Sequence, residues 1–212
     1  MKIALIGASG FVGSAVLKEA VARHHDVIGL ARNPDKIEKT PRVTARKADV
    51  NDTKALADAI DGAEVVIAAY VGPRGTSDIY AVHRAGSASI IEAAKTAGKR
   101  ILIVGGAGSL VAPDGSQFVD SEQFPKEYKD ESLAARDVLA DVQKEATLDW
   151  TFLSPPFVLT PGERSGQYRR GLDNPVFNER GESTITTADL AVAVVDEIEK
   201  PQHSRKRFTV GY

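Results

Sequence analysis

Three glycines near the start of the chain have the spacing of a phosphate-binding turn. Gly7, Gly10 and Gly13 follow an apolar run at residues 3–6 and open a segment with apolar residues at four-residue spacing. In such a turn the first glycine permits a tight bend, the second lets the backbone approach a pyrophosphate, and the third lets the helix pack against the strand. The N–H groups at the positive end of that helix then bind the anion. The pattern predicts a dinucleotide-binding turn formed by Gly7, Ser9, Gly10, Phe11, Val12 and Gly13.

The end of the second apolar run indicates which dinucleotide this turn would hold. An acidic residue commonly binds the ribose 2′-hydroxyl of NAD at this place, but the run ends in Arg32 and Asn33, and Asp26 lies at its start. A guanidinium matches phosphate geometry, so these residues favour NADP over NAD. The alternative is that Arg32 is an ordinary surface arginine. Asp49 and Val50, after the third run, are predicted to contact the adenine, although Asp49 could equally cap the next helix.

Further candidates follow later predicted strands. Ala69 and Tyr70 follow the fourth strand, Gly105 the fifth and Pro155 the sixth, so all four are predicted to contact the cofactor. Four aromatic side chains could form a stacking wall for a flat ring, although ordinary packing is the commoner role for any one of them: Tyr70, Tyr128, Phe157 and Tyr168. The arginines at 164, 169 and 170 could attract an anionic group such as a flavin phosphate, although a solvent-exposed basic loop is the commoner case.

Positioning these residues requires an alternation of strands and helices. Short apolar runs lie at residues 3–6, 26–31, 42–47, 64–69, 100–104, 150–154 and 207–210. Several are apolar at consecutive positions, as is typical of parallel strands buried on both faces. Helical segments begin at residue 10 and cover 53–60, 78–97, 132–145 and 187–199. The order predicts a single α/β domain over residues 1–212, with a doubly wound parallel-sheet Rossmann fold and a small C-terminal substrate lobe.

Two segments interrupt this alternation. Residues 107–127 are polar and follow the fifth strand, where open α/β sheets place ligand-binding loops. Residues 155–182 contain several prolines and glycines and are predicted to form the small irregular lobe. This lobe would either close over a site or be a surface excursion without a ligand role.

The composition excludes several kinds of function. The 212 residues carry 27 basic and 29 acidic side chains. Because basic side chains are not in excess, the composition does not indicate a nucleic-acid or membrane-surface partner. The chain contains no cysteine, which excludes disulfides and thiolate sites, and no histidine pair has metal-ligand spacing. We expect a small-molecule substrate, no metal and a monomer or homodimer. Because no signal-peptide pattern or long apolar stretch is present, we also expect a cytoplasmic protein.

Taken with two other segments, the glycine turn resembles a known superfamily. Gly-x-x-Gly-x-x-Gly near the N-terminus is similar to the short-chain dehydrogenase/reductases in their extended and atypical branches. Segments 104–109 (VGGAGS) and 161–169 (PGERSGQYR) look like the small NAD(P)H-dependent flavin reductase-like proteins, which share a fold with biliverdin-IXβ reductases and NmrA-like NADP binders. The resemblance covers essentially the whole chain.

The resemblance also implies a catalytic unit, from which this chain departs. The superfamily uses Tyr-x-x-x-Lys with a preceding serine, and Tyr128 and Ser109 occupy the corresponding places. Four residues after the tyrosine, however, stands Ser132, and Lys129 would point about 100° away on a helix. A tyrosine with an ordinary pKa of about 10 is a poor acid at neutral pH. Hydride transfer to a flavin or another flat conjugated acceptor depends less on such an acid.

Two other functions are compatible with these residues. A non-catalytic, redox-sensing regulator would bind NADP and would not need the missing lysine. An epimerase or dehydratase is the weaker alternative, because those enzymes need the Tyr–Lys pair and usually a larger lobe than residues 155–182 provide.

Overall fold

The computed structural model describes all 212 residues. Ten strands, β1 to β10, cover Lys2–Ile6, Asp26–Ala31, Val43–Lys47, Val65–Ala68, Arg100–Val104, Trp150–Ser154, Val158–Thr160, Arg169–Gly171, Thr184–Thr186 and Lys206–Gly211. Five α-helices, α1 to α5, cover Phe11–Ala22, Thr53–Ile60, Ile79–Thr96, Lys126–Val142 and Thr187–Glu199. None of these helices has both the length and the apolar character that crossing a bilayer requires.

Eight of the strands form one sheet, in the order β3-β2-β1-β4-β5-β6-β10-β8. All neighbours in it are parallel except β8, which runs antiparallel to β10. From β1 the chain first builds outward through β2 and β3, and it then returns to place β4 on the other side of β1. This reversal opens a crevice at the carboxyl ends of β1 and β4, where doubly wound sheets bind ligands. The predicted Rossmann fold is confirmed.

Helices cover both faces of the sheet, which explains the consecutive apolar residues of the strands. One buried cluster joins α1 and α5 to the sheet, and a second joins α2, α3 and α4 to the opposite face. Strand β4 is buried at every position, so it needs apolar side chains on both of its faces. The sheet is therefore a rigid platform for the loops at its carboxyl edge.

The segment after β5 is more regular than predicted. It contains short 3-10 helices at Ala107–Ser109 and Phe118–Asp120 and an isolated bridge between Val111 and Gln117. Helix α4 begins at Lys126, whereas the sequence predicted a start at Ser132. The first turn of α4 is mostly polar, so it lacks the apolar periodicity on which the prediction depended. Tyr128 consequently lies on the helix and not before it.

The predicted lobe is partly an extension of the main sheet. Strand β8 adds to its edge beside β10, while β7 pairs with β9 in a separate two-stranded sheet. The lobe is also tied to the helices. Arg164 donates two hydrogen bonds to Glu19 of α1, and Asp189 of α5 accepts hydrogen bonds from the Ser165 hydroxyl and the Gly166 N–H, both 2.7 Å long. These contacts hold residues 164–166 of the lobe against α1 and α5, while Pro155, Phe157 and Leu159 at its start line the cleft described below.

Candidate functional site

A single cleft of about 1090 Å³ opens at the carboxyl edge of the sheet. It runs from the glycine turn, past the loop after β4, to the start of α4 and the first residues of the lobe. Many of the residues predicted from the sequence line it: Gly7, Ser9, Gly10, Phe11, Val12, Arg32, Val50, Ala69, Tyr70, Tyr128, Pro155 and Phe157. The elements that the fold brings together thus form one continuous space.

The glycine turn has little room for side chains. Gly7 has a φ of +82°, and a Cβ there would collide with the Ala69 carbonyl oxygen. A Cβ on Gly13 would collide with the carbonyl oxygen of Gly7, so the helix can approach the turn only without one. Gly13 itself does not line the cleft and acts through this packing. Helix α1 has no side-chain cap and no acidic residue in its first turn. The turn therefore fits a pyrophosphate, because its backbone is accessible and no side-chain oxygen caps the helix start.

The residues predicted to bind the adenosine half of the cofactor divide into two groups. Arg32 is exposed, lines the cleft and makes no ion pair or side-chain hydrogen bond, while Val50 forms part of the same wall. Asn33 instead accepts a hydrogen bond from the Asp35 N–H at 3.1 Å. Asp49 accepts two hydrogen bonds from Asn51, both 2.9 Å long. Asn33 and Asp49 thus stabilise local turns and are not part of the cleft lining, so their contact with the cofactor stays a prediction.

Ser109 and Gly105 also lie outside the cleft lining. Ser109 is only 2% exposed, and its carbonyl and hydroxyl oxygens accept hydrogen bonds from Arg207 at 3.1 and 3.3 Å. A Cβ on Gly105 would collide with the ring of Phe152, so this glycine permits core packing behind the cleft. The structure therefore gives Ser109 a contact with β10 in place of the predicted contact with reacting groups.

Tyr168 and the lobe arginines also lie outside the cleft lining. The Tyr168 hydroxyl donates a hydrogen bond to Asp196 of α5 at 2.6 Å, and its ring packs against the cluster around α1 and α5. Burial, followed by the hydrogen bond to Asp196, raises the pKa of Tyr168. It does not line the cleft, which corrects its predicted placement against a substrate. The arginines at 164, 169 and 170 do not line the cleft either.

Tyr70 forms a fixed part of the cleft wall. Its ring stacks on His83 with 5.7 Å between centroids, and its hydroxyl donates to the Val82 carbonyl at 3.4 Å, into α3. Burial raises the pKa of Tyr70 and lowers that of His83. The Gly72 N–H donates to Nδ1 of His83 at 3.2 Å, which requires that this nitrogen carry no proton. The neutral histidine thereby anchors the loop after β4.

The start of α4 places three polar side chains along the cleft. Tyr128 is 52% exposed, and Glu131 and Ser132 lie one turn further along the same face. Arg74, from the loop after β4, donates to both carboxylate oxygens of Glu131 at 2.8 and 2.9 Å. The hydrogen bond to Glu131 raises the pKa of Arg74, and nearby Tyr128 contributes in the same direction. A cation therefore lies near Tyr128, although it comes from another element and not from the helix.

Aromatic side chains dominate the opposite end from the glycine turn. Phe118 and Phe157 meet edge to face with 4.5 Å between centroids. Together with Phe124 and Tyr128 they form the aromatic wall of the cleft. Neither Phe118 nor Phe124 was predicted from the sequence, although the loop that carries them, residues 107–127, was predicted to bind a ligand. The packing geometry suits a flat ring, because aromatic faces and edges offer stacking contacts at little entropic cost.

Comparison with known proteins identifies the family. The family model described as NAD(P)H-binding matches residues 7–201. The chain belongs to the NAD(P)H-binding family. The chain is also similar to the uncharacterized protein YwnB of Bacillus subtilis, with 38% identity over 213 residues, covering 99% of this chain and 98% of YwnB. The predicted resemblance is therefore confirmed at the level of cofactor class.

Two solved structures of similar proteins extend over the whole chain. A candidate epimerase from Bacteroides thetaiotaomicron is 39% identical with a TM-score of 0.93, covering 100% of this chain and 96% of that one. A candidate NADH-flavin reductase from Streptococcus pneumoniae is 31% identical with a TM-score of 0.87, covering 100% of this chain and 99% of that one. Both structures match this chain over its whole length, residues 155–182 included, while their names point to different reactions.

Proposed function

We propose that this chain is an NADPH-dependent reductase that transfers a hydride to a flavin or another flat conjugated acceptor. The observation that carries the proposal is the continuity of the cleft, in which the glycine turn and the aromatic wall line one space. Its volume of about 1090 Å³ slightly exceeds the roughly 300–1,000 Å³ typical of small-molecule pockets. A dinucleotide and a second flat molecule can therefore be accommodated together.

The cofactor is assigned to the end of the cleft that contains the turn. The backbone of the glycine turn would hold the pyrophosphate, and Arg32 would hold a 2′-phosphate. Two further cations, Arg46 and Lys47, are exposed on β3 without ion pairs, and Lys47 is in register with Ala31 at the end of β2. This basic corner supports NADP over NAD, because a phosphomonoester gains most from several neighbouring cations.

The chain's own contribution to the reaction is then mainly positioning. A bound reduced nicotinamide supplies a hydride, and the aromatic wall holds the acceptor ring against it. Reduction of a conjugated ring also consumes a proton, which water can supply. Tyr128 is half exposed, so solvent reaches its hydroxyl, and no lysine follows it at the fourth position. We assign Tyr128 to the wall, in contact with the acceptor, and not to proton transfer.

The same residues are compatible with a regulator that binds NADP without turnover, because Ser132 replaces the lysine in either case. The test is NADPH oxidation in the presence of FMN, riboflavin or a quinone. Steady turnover with at least one flat acceptor is expected, and little turnover with aliphatic ketones. Tight NADPH binding without oxidation by any acceptor would refute the reductase and favour the regulator.

A further inference from the structure

The charges along the cleft indicate what the acceptor carries. Only three charged side chains line the cleft: Arg32, Arg74 and Glu131. Arg32 lies beside the glycine turn, at the end assigned to the cofactor. Arg74 lies opposite the helix that carries Tyr128, at the end with the aromatic wall. The cation available to an acceptor is therefore Arg74.

Arg74 is oriented by Glu131 and retains unused donors. A guanidinium has five N–H groups, and the two hydrogen bonds to Glu131 use one on Nε and one on Nη2. Arg74 makes no other hydrogen bond, so the remaining donors are free for a ligand. The Arg74 side chain is 70% exposed, whereas that of Glu131 is 21% exposed. Glu131 is thus the anchor, and it fixes the planar fork before any ligand binds.

The other arginines near the lobe are bonded elsewhere. Arg164 pairs with Glu19, and Arg169 donates to the backbone carbonyl oxygens of Phe177 and Tyr212. Arg170 donates to Gln202 and to the Tyr168 hydroxyl. None of these three arginines lines the cleft, so none competes with Arg74 for an anion there.

We propose that Arg74 binds an oxyanion, a phosphate or carboxylate, on the flat acceptor. The substrate class is then a conjugated ring with an anionic tail, for which FMN is the probe and neutral riboflavin the matched comparison. This inference rests on the proposed function for the nature of the acceptor. The nearby carboxylate of Glu131 and the exposure of Arg74 weaken the attraction, so we expect Arg74 to favour FMN about tenfold.

The experiment compares FMN with riboflavin, which share a ring and differ by the phosphate. In Arg74→Gln the KM for FMN should rise about tenfold, while the KM for riboflavin and both kcat values stay unchanged. Arg74→Lys should recover part of the FMN preference. Arg84→Gln is the matched control, because Arg84 also pairs with a carboxylate, that of Asp141, but lies outside the cleft lining.

Three outcomes overturn the assignment. Equal increases of KM for both flavins would mean that Arg74 only orders its loop, and an unchanged KM for FMN would mean that it binds no anion. A weaker Kd for NADPH with an unchanged preference between the flavins would mean that Arg74 contacts the cofactor's phosphates.

The anion site can also be tested without turnover. If neither flavin is reduced, the proposed function fails, but quenching of flavin fluorescence by NADP-loaded protein still measures binding. FMN should then bind about tenfold more weakly to Arg74→Gln than to the wild type. Equal FMN binding by the two proteins, or no binding by the wild type, would overturn the role of Arg74.

Discussion

Replacing Arg32 with glutamine should weaken the binding of NADPH and leave the binding of NADH unchanged. Arg32 has no protein partner, so its loss leaves no buried group unpaired, and the melting temperature should not change. A hydrogen bond to a charged group contributes about 1.5–3 kcal/mol. Because Arg32 is exposed, we take the lower end, which corresponds to an increase of about tenfold in the Kd for NADPH. The Kd for NADH should not change, since NADH lacks the 2′-phosphate.

The assay is a fluorescence titration of each reduced cofactor against the wild type, Arg32→Gln and a control. Arg180→Gln serves as the control, because Arg180 is also exposed and its side chain has no partner, but it lies outside the cleft lining. The wild type should bind NADPH more tightly than NADH, and of the two variants only Arg32→Gln should reduce this preference, by about tenfold. An unchanged ratio of the two Kd values in Arg32→Gln would refute the assignment of Arg32 to the 2′-phosphate.

Three further perturbations test other parts of the molecule. Tyr128→Phe should lower kcat only slightly, whereas a loss of about 100-fold or more would show that Tyr128 is a general acid. Gly7→Ala should abolish measurable NADPH binding and lower the melting temperature more than Gly181→Ala. Gly181 also has a positive φ, but a Cβ there would meet open space. Equal effects of the two substitutions would contradict the role of the glycine turn in binding the pyrophosphate. The hydrogen bond from Arg164 lowers the pKa of Glu19, so stability should be lost as the pH falls below about 4.5. Glu19→Gln should flatten this acid limb in urea titrations, and an unaltered limb would exclude Glu19 as its source.

The sequence was sufficient for the seven parallel strands of the sheet and for the turn, but not for the antiparallel edge strand β8. Strand burial from both sides leaves consecutive apolar residues, as in β4, and the three-residue glycine spacing has few other uses. Both signals are local, so they can be recognised without knowing which elements meet. The start of α4 was missed because its exposed first turn contains mostly polar residues, and solvent exposure removes the apolar pattern.

The positions of Arg74, Ser109 and Tyr168 depend on contacts that no local sequence pattern encodes. Arg74 and Glu131 lie 57 positions apart and meet only because the loop after β4 faces α4. Ser109 follows β5 as the resembled family's serine does, yet Arg207 from β10 holds it in the interior. Tyr168 was predicted to contact the substrate, but its hydrogen bond to Asp196 holds it against α5, outside the cleft lining. In each case a long-range charged partner decided the placement.

Hydride transfer between a cofactor and an acceptor that meet in one cleft is the reaction proposed for this chain. Its most direct test is a single-turnover experiment in which protein loaded with NADPH is mixed with FMN and the reduced-nicotinamide absorbance is followed. A rapid decay is expected, which should be slower when the transferred hydrogen is deuterium and should be lost in Gly7→Ala. Bound NADPH that stays reduced in the presence of FMN, riboflavin and quinones would contradict it.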